Sequence, residues 1–167
     1  MSISPVYLLD ANVLISAARL YYAFDIVPGF WNTLVQQASY GKIISIDRVC
    51  DEINRGDDEL VTWINGQFNS FVSTDNPDVL GKYREMMMWA YNQPQFTDAA
   101  KDEFARADYA DPWIVAYAAA HSCVVVTLEE LKFDIRRKIP IPNVCKAFGV
   151  DSINTFQMLR SLEVRLG

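Results

Sequence analysis

Cysteine is scarce in this 167-residue chain: Cys50, Cys123 and Cys145 are the only three. An odd number with no close pair excludes a disulfide framework and a sulfur-bound zinc site, and it leaves buried or part-buried thiols in a reducing, cytoplasmic setting. Histidine is scarcer still. The single His121 falls near the end of an expected helix, where a cation complements the dipole, so a structural role is expected of it rather than a catalytic one. No apolar run approaches the roughly 20 residues that a bilayer-crossing helix requires, and no membrane association is expected. The opening MSISPVYLLDANVL lacks a basic region and carries Asp10 inside its apolar part, unlike a secretory leader. Positive charge is also short, with 15 Lys and Arg against 21 Asp and Glu for a net −6. Taken alone, that balance opposes nonspecific nucleic-acid binding, which needs cations to neutralise phosphates. It stops opposing it if the acids gather to hold divalent ions. Repeats, low-complexity stretches and linkers are absent, so residues 1–167 read as one domain.

What the chain has is apolar material and alternation. Hydrophobic residues make up 51% and charged residues 22%, enough for a core. Short apolar runs suit buried strands: Val6–Leu9, Lys42–Ile46, Ser70–Ser73 and Val124–Val126. Helical patterns lie between them. These cover Asn12 to Ala23, Phe30 to Ala38 with a stop at Gly41, Asp47 to about Gly56, Asp58 to Gln67, Asn76 to Tyr91, and Thr97 through Phe104. A further helix is opened by Asp111-Pro112 and runs to His121, and after Pro140 and Pro142 come a short helix ended by Gly149 and a final one from about Asn154 to Leu166. Strands separated by helices predict βαβ units. The expected fold is an α/β/α sandwich with a mostly parallel sheet of four or five strands.

Sites in such sheets form beyond the carboxyl ends of the strands. Asp10 directly follows the first run, Asp47 and Glu52 follow the second, and Thr127 and Glu129 follow Val124–Val126. Asp111 begins the helix that feeds that last strand. Two carboxylates about 4 Å apart repel by about 4 kcal/mol at an effective dielectric of 20, so such a group must share protons or bind cations. Hard oxygen donors without His or Cys suit Mg²⁺ or Mn²⁺, and metal-assisted phosphodiester hydrolysis is the matching chemistry.

The segments YLLDANVLI, DEI, ADPWIVAYAAAH and VVVTLEE resemble, in order and context, the four acidic blocks of PIN domains, the family that includes the VapC-type toxins of bacterial toxin–antitoxin pairs. The resemblance runs from Tyr7 to about Glu130, and KIPIPNVCKAFGV is similar to the tail of one PIN-like subgroup. It implies metal binding and catalysis by Asp10, Glu52, Asp111 and Glu129, with Asp111 also orienting the attacking water. Glu129 stands where the family more often has Asp, and Glu130 competes for that place. Asn12 and Thr127 match supporting polar positions, and Asp108 is an auxiliary candidate. The implied activity is that of a Mg²⁺- or Mn²⁺-dependent endoribonuclease. The implied partners are RNA, a cognate antitoxin and a second copy of the chain.

Each residue also has a plainer reading. Asp10 and Asp111 would cap helices, Glu52 would be an exposed helix residue, and Asp108 a solvated loop acid. Arg136, Arg137 and Lys138 could meet RNA phosphates or an acidic partner, or form a solvated face. Trp89, Tyr91 and Met86-Met87-Met88 could be core, a dimer face or a contact patch. Two other functions compete with the nuclease. A haloacid-dehalogenase-like phosphatase also begins with Asp after a strand, but it wants a second Asp where this chain has Asn12. A metal-free PIN-like fold that only binds a partner would keep the architecture without the ions.

Overall fold

A computed structural model describes residues 4–167; the first three residues of the expected domain, and with them the start of the segment read against a leader, lie outside the described residues. Five short strands, β1 (Tyr7–Leu9), β2 (Ile43–Ile46), β3 (Phe71–Val72), β4 (Val124–Val126) and β5 (Ser152–Ile153), form one sheet in the order β3-β2-β1-β4-β5. Every pairing is parallel, with Tyr7 beside both Ile43 and Val124. The α/β class expected from the alternation is the one observed. β1 and β4 read as continuous apolar runs because helices cover the sheet; Leu8, Leu9, Val125 and Val126 are fully buried.

The helices are α1 (Ala11–Ser16), α2 (Pro28–Ser39), α3 (Asp47–Ile53), α4 (Glu59–Gly66), α5 (Pro77–Tyr91), α6 (Asp98–Phe104), α7 (Asp111–His121), α8 (Ile141–Ala147) and α9 (Thr155–Ser161). Capping explains several starts. Asp58, Asn76 and Thr97 accept from backbone N–H groups of α4, α5 and α6, and Asn154 with Gln157 builds a reciprocal capping box on α9. Gly41 ends the α2 connection at φ +74°, a conformation that glycine adopts without a Cβ penalty.

Three expectations are adjusted. The first helix does not continue regularly to Ala23. It passes at Ala17–Tyr21 into a π-helical turn whose Leu20 and Tyr21 are exposed. The last helix stops at Ser161 rather than reaching Leu166, because Glu163 turns left-handed at φ 58°. β5 is a strand of two half-buried residues with no apolar run to announce it. The buried apolar residues form one contiguous cluster from Tyr7 to Leu159. Cys50 is half-buried and Cys123 and Cys145 are buried; all three are free, and burial pushes the latter two thiols up to about 11 and about 12, which leaves them inert. Met86 packs inside and Trp89 lies edge-on to Phe96 and Phe148, while Met88 and Tyr91 are exposed. No helix among the described residues is long and apolar enough to cross a membrane.

Candidate active site

From β1 the strand order steps to β2 and β3 on one side and to β4 and β5 on the other. The sheet therefore reverses between β1 and β4, and the crevice beyond their carboxyl ends is where an open parallel sheet leaves room for a ligand. Asp10 and Thr127 are the first residues past those two strands. The Asp10 N–H donates to the Val126 carbonyl at 3.0 Å, and the Thr127 hydroxyl donates to Asp10 Oδ2 at 3.1 Å. Asp10 precedes α1 in an extended conformation, yet its carboxylate makes no capping bond. With 1% exposure it is buried at the carboxyl edge of the sheet.

The other acids arrive from three different elements. Asp111 is in the first turn of α7, which Ala110 rather than Asp111 caps. Glu52 comes from α3 and is half-buried. Glu129 follows β4; its N–H is held by the Thr127 hydroxyl at 3.2 Å, and its Oε2 accepts from the Ile141 N–H that opens α8 at 3.0 Å. Glu130 beside it is exposed, so Glu129 is the acid that faces inward.

These groups feel one another. Burial, and then the Asp111 and Glu129 carboxylates, hold Asp10 well above the usual carboxylate range, with Glu52 adding to the shift and the Thr127 bond opposing it. Burial and Glu129 push Asp111 up to about 7, against the Tyr109 phenol and Lys138. Glu52 is also raised, first by burial. Placing acids where they destabilise one another's charge is costly, and such perturbation concentrates at functional sites.

A cation lies among them. Lys138 Nζ is 2.5 Å from Glu129 Oε1. Burial disfavours its charge, but Glu129, Asp111 and Asp10 outweigh burial and hold its pKa above the ordinary lysine value; the same ammonium favours the charged form of Glu52. Lys138 thus acts on all four acids. That departs from its expected place beside Arg136 and Arg137 as a surface contact for phosphates. The two arginines are exposed, and the lysine points to Glu129 while keeping 40% of its side chain exposed.

The remaining candidates divide. Thr127 supports the cluster through Asp10. Asn12 is exposed on the first turn of α1. Asp108 stands apart, because Arg106 grips it through two bonds of 2.8 and 3.1 Å and Arg55 lies 4.0 Å away, which holds its carboxyl below the usual range. Asp47 is spent on Thr74, accepting from its N–H and its hydroxyl. Tyr109, which the sequence reading missed, faces Asp111, and its own phenol is raised by burial and by that carboxylate. Its one sequence signal is its place two residues before Asp111.

The donor set fits a divalent ion in kind: hard carboxylate oxygens and no imidazole, with the Cys145 thiol that feels Glu129 buried and raised rather than offered as a ligand. Among the described residues, however, no three Asp, Glu, His or Cys side chains form a ready cage. That suits an ion such as Mg²⁺, which keeps several waters and takes one or two carboxylates. Beside Glu129 opens a cavity of about 580 Å³, with Tyr21, Leu128, Leu131 and Phe156 among its lining residues.

Residues 7–166 match the family described as "Domain of unknown function (DUF4411)", and the chain belongs to that family. No curated protein matches it in sequence. Two solved structures are similar to it. FitAcB from Neisseria gonorrhoeae is 16% identical, with a TM-score of 0.54 over 90% of this chain and 99% of that chain. VapBC2 from Rickettsia felis, bound to a DNA fragment from their promoter, is 14% identical, with a TM-score of 0.53 over 89% and 98%. At such identities the likeness is one of fold, the parallel α/β fold expected from the alternation of strands and helices.

Proposed function

We propose that this member of the family is a Mg²⁺- or Mn²⁺-dependent endoribonuclease, acting as the toxin of a toxin–antitoxin pair. The observation that carries the reading is the burial of Asp10 at the sheet's reversal point, uncapped and facing Asp111, Glu129 and Glu52. A carboxylate kept there without a capping or arginine partner has a use other than stability. Asp10 and Asp111 would hold the ion directly, and Glu52 would hold it through its waters. Bound there, a divalent cation supplies Lewis-acid stabilisation of the phosphoryl oxygens and a water of lowered pKa. Asp111 would orient the attacking water, with Tyr109 fixing the orientation of its carboxylate. Thr127 holds Asp10 in place.

The antitoxin part is supported by the fold shared with FitAcB and VapBC2 and by the apolar rim of the large cavity. There Tyr21, Leu128, Leu131 and Phe156 keep 62%, 38%, 37% and 59% of their surface exposed beside the acids. Exposed apolar groups gathered at one cleft suit a protein partner. A homodimer belongs to the same proposal, with Met88 and Tyr91 exposed three residues apart on α5.

Purified protein incubated with single-stranded RNA and Mn²⁺ should cleave it, stop on addition of chelator, and lose cleavage in Asp10→Asn while that variant stays folded by circular dichroism. Cleavage retained by the variant would reject the site. The Lys138–Glu129 ion pair favours a second reading, a metal-free module that binds a partner through this cleft. Absence of any Mn²⁺ binding by calorimetry would promote it.

A further inference from the structure

Lys138 is delivered to the acids by a connection that is fixed along its length. After Glu129, the Asn143 side chain accepts from the Lys132 N–H at 3.1 Å and donates to the Lys132 carbonyl at 2.9 Å. Gln95 donates to the Phe133 and Ile135 carbonyls, both at 2.7 Å, and the Thr97 N–H donates to the Arg136 carbonyl at 2.9 Å. Ile139 and Pro140 are then buried. With anchors on both sides of it, Lys138 is aimed at Glu129 by the backbone, while its neighbours Arg136 and Arg137 point to solvent.

Glu129 is engaged at both oxygens, by the ammonium and by the Ile141 N–H. An ammonium is a compact point charge, closer in kind to a metal ion than a planar guanidinium is. A cavity of about 280 Å³ opens at the pair, with Glu129, Lys132, Lys138 and Pro140 in its wall, so there is room for a hydrated ion if the ammonium were gone. One ammonium with one divalent ion leaves four carboxylates short by one positive charge, and Arg55, the charge that acts most on Glu52, closes that gap; a second divalent ion would leave the cluster positive.

We propose that Lys138 is the resident cation of the cluster, holding Glu129 in the place of a second metal ion, so that the protein loads one divalent ion and stays folded with none. The identity of the ion rests on the nuclease reading; the role of Lys138 within the cluster does not.

The test uses the full chain and Mn²⁺ alone. Titration calorimetry of the chelator-treated wild type should give one Mn²⁺ per chain. Lys138→Met should take two, and should melt several degrees lower than wild type in chelator. Lys138→Met/Glu129→Gln should recover most of that loss, because removing the stranded carboxylate removes the penalty. Lys138→Arg keeps the charge, should keep one ion, and serves if the methionine variant does not fold. No ion or two ions on the wild type, or an unchanged stoichiometry and melting point in Lys138→Met, would overturn the proposal. RNA cleavage is read separately: a wild type that binds one Mn²⁺ but leaves RNA intact rejects the nuclease and leaves the lysine's role standing.

Discussion

The Thr127 hydroxyl donates to Asp10 Oδ2 at 3.1 Å, joining residues 117 apart in the chain at the point where the sheet reverses. Among the described residues that bond is the one side-chain hydrogen bond of a carboxylate with 1% exposure, so Asp10 carries a charge penalty that its partner only partly offsets. Asp10→Asn removes the penalty and keeps an acceptor for Thr127. In chelator the variant should be more stable than wild type, by roughly 1 kcal/mol or more, while Mn²⁺ no longer raises its melting temperature. A core aspartate held only for structure would respond the other way, with lower stability in urea titration.

Asp108 makes the contrasting case. Its carboxylate is held by Arg106 and approached by Arg55 at the surface. Asp108→Asn should therefore leave Mn²⁺ affinity and RNA cleavage within about two-fold of wild type, since exposed ion pairs contribute little. A ten-fold loss of Mn²⁺ affinity in calorimetry would return Asp108 to the set of metal-holding acids.

Asp10 and Thr127 were legible in the sequence because each is the first polar residue after a fully apolar strand, and parallel topology sends such residues to one edge. Glu129 was legible on the same ground, two residues further on. Lys138 was not. A run containing Arg136, Arg137 and Lys138 looks like a solvated face, and only the anchoring by Gln95 and Thr97, both distant in sequence, and by Asn143 turns one of its three charges toward the acids. For Asp108 the sequence left an auxiliary acid and a solvated loop acid both open; Arg106 was visible two residues away, and Arg55, which joins it at that carboxylate, was not. The strands β1, β2 and β4 announced themselves by three or four apolar positions; β5 has one, Ile153, and owes its existence to pairing with β4. The π-helical turn at Ala17–Tyr21 follows a regular Val13, Leu14, Ala17 spacing that gave no sign of the change.

Arg48 fixes the start of α7. Its guanidinium lies 3.8 Å from the centre of the Trp113 ring, which stacks on Tyr83 at 3.9 Å, and it donates to the Ala107 carbonyl at 2.7 Å and to Thr74 Oγ1 at 3.2 Å. Trp113 is two residues after Asp111 on the same helix, so this stack seats the first turns of α7, which carry Asp111. Arg48→Ala should cost on the order of 2 kcal/mol in urea denaturation. Its cleavage rate should fall further than its folded fraction accounts for. Equal losses in both would mean that Arg48 supports the fold without positioning Asp111.

The pH dependence of the metal-free protein tests the crowding of the acids directly. Burial and Glu129 raise Asp111 from 3.8 to about 7, so across that interval the folded chain holds a proton that the unfolded chain has released. The Asp111 contribution to stability is then full below about pH 4 and is lost as the pH climbs through about 7, and Asp10, raised in the same direction, adds to the trend. Urea titrations in chelator should show stability falling by on the order of a few kcal/mol between those limits. Asp111→Asn should flatten much of that slope by keeping the site neutral at every pH. Saturating Mn²⁺ should reverse it, because cation binding favours the ionised carboxylates and so strengthens as protons leave. A slope that stays the same in Asp111→Asn would place the titrating group elsewhere in the molecule.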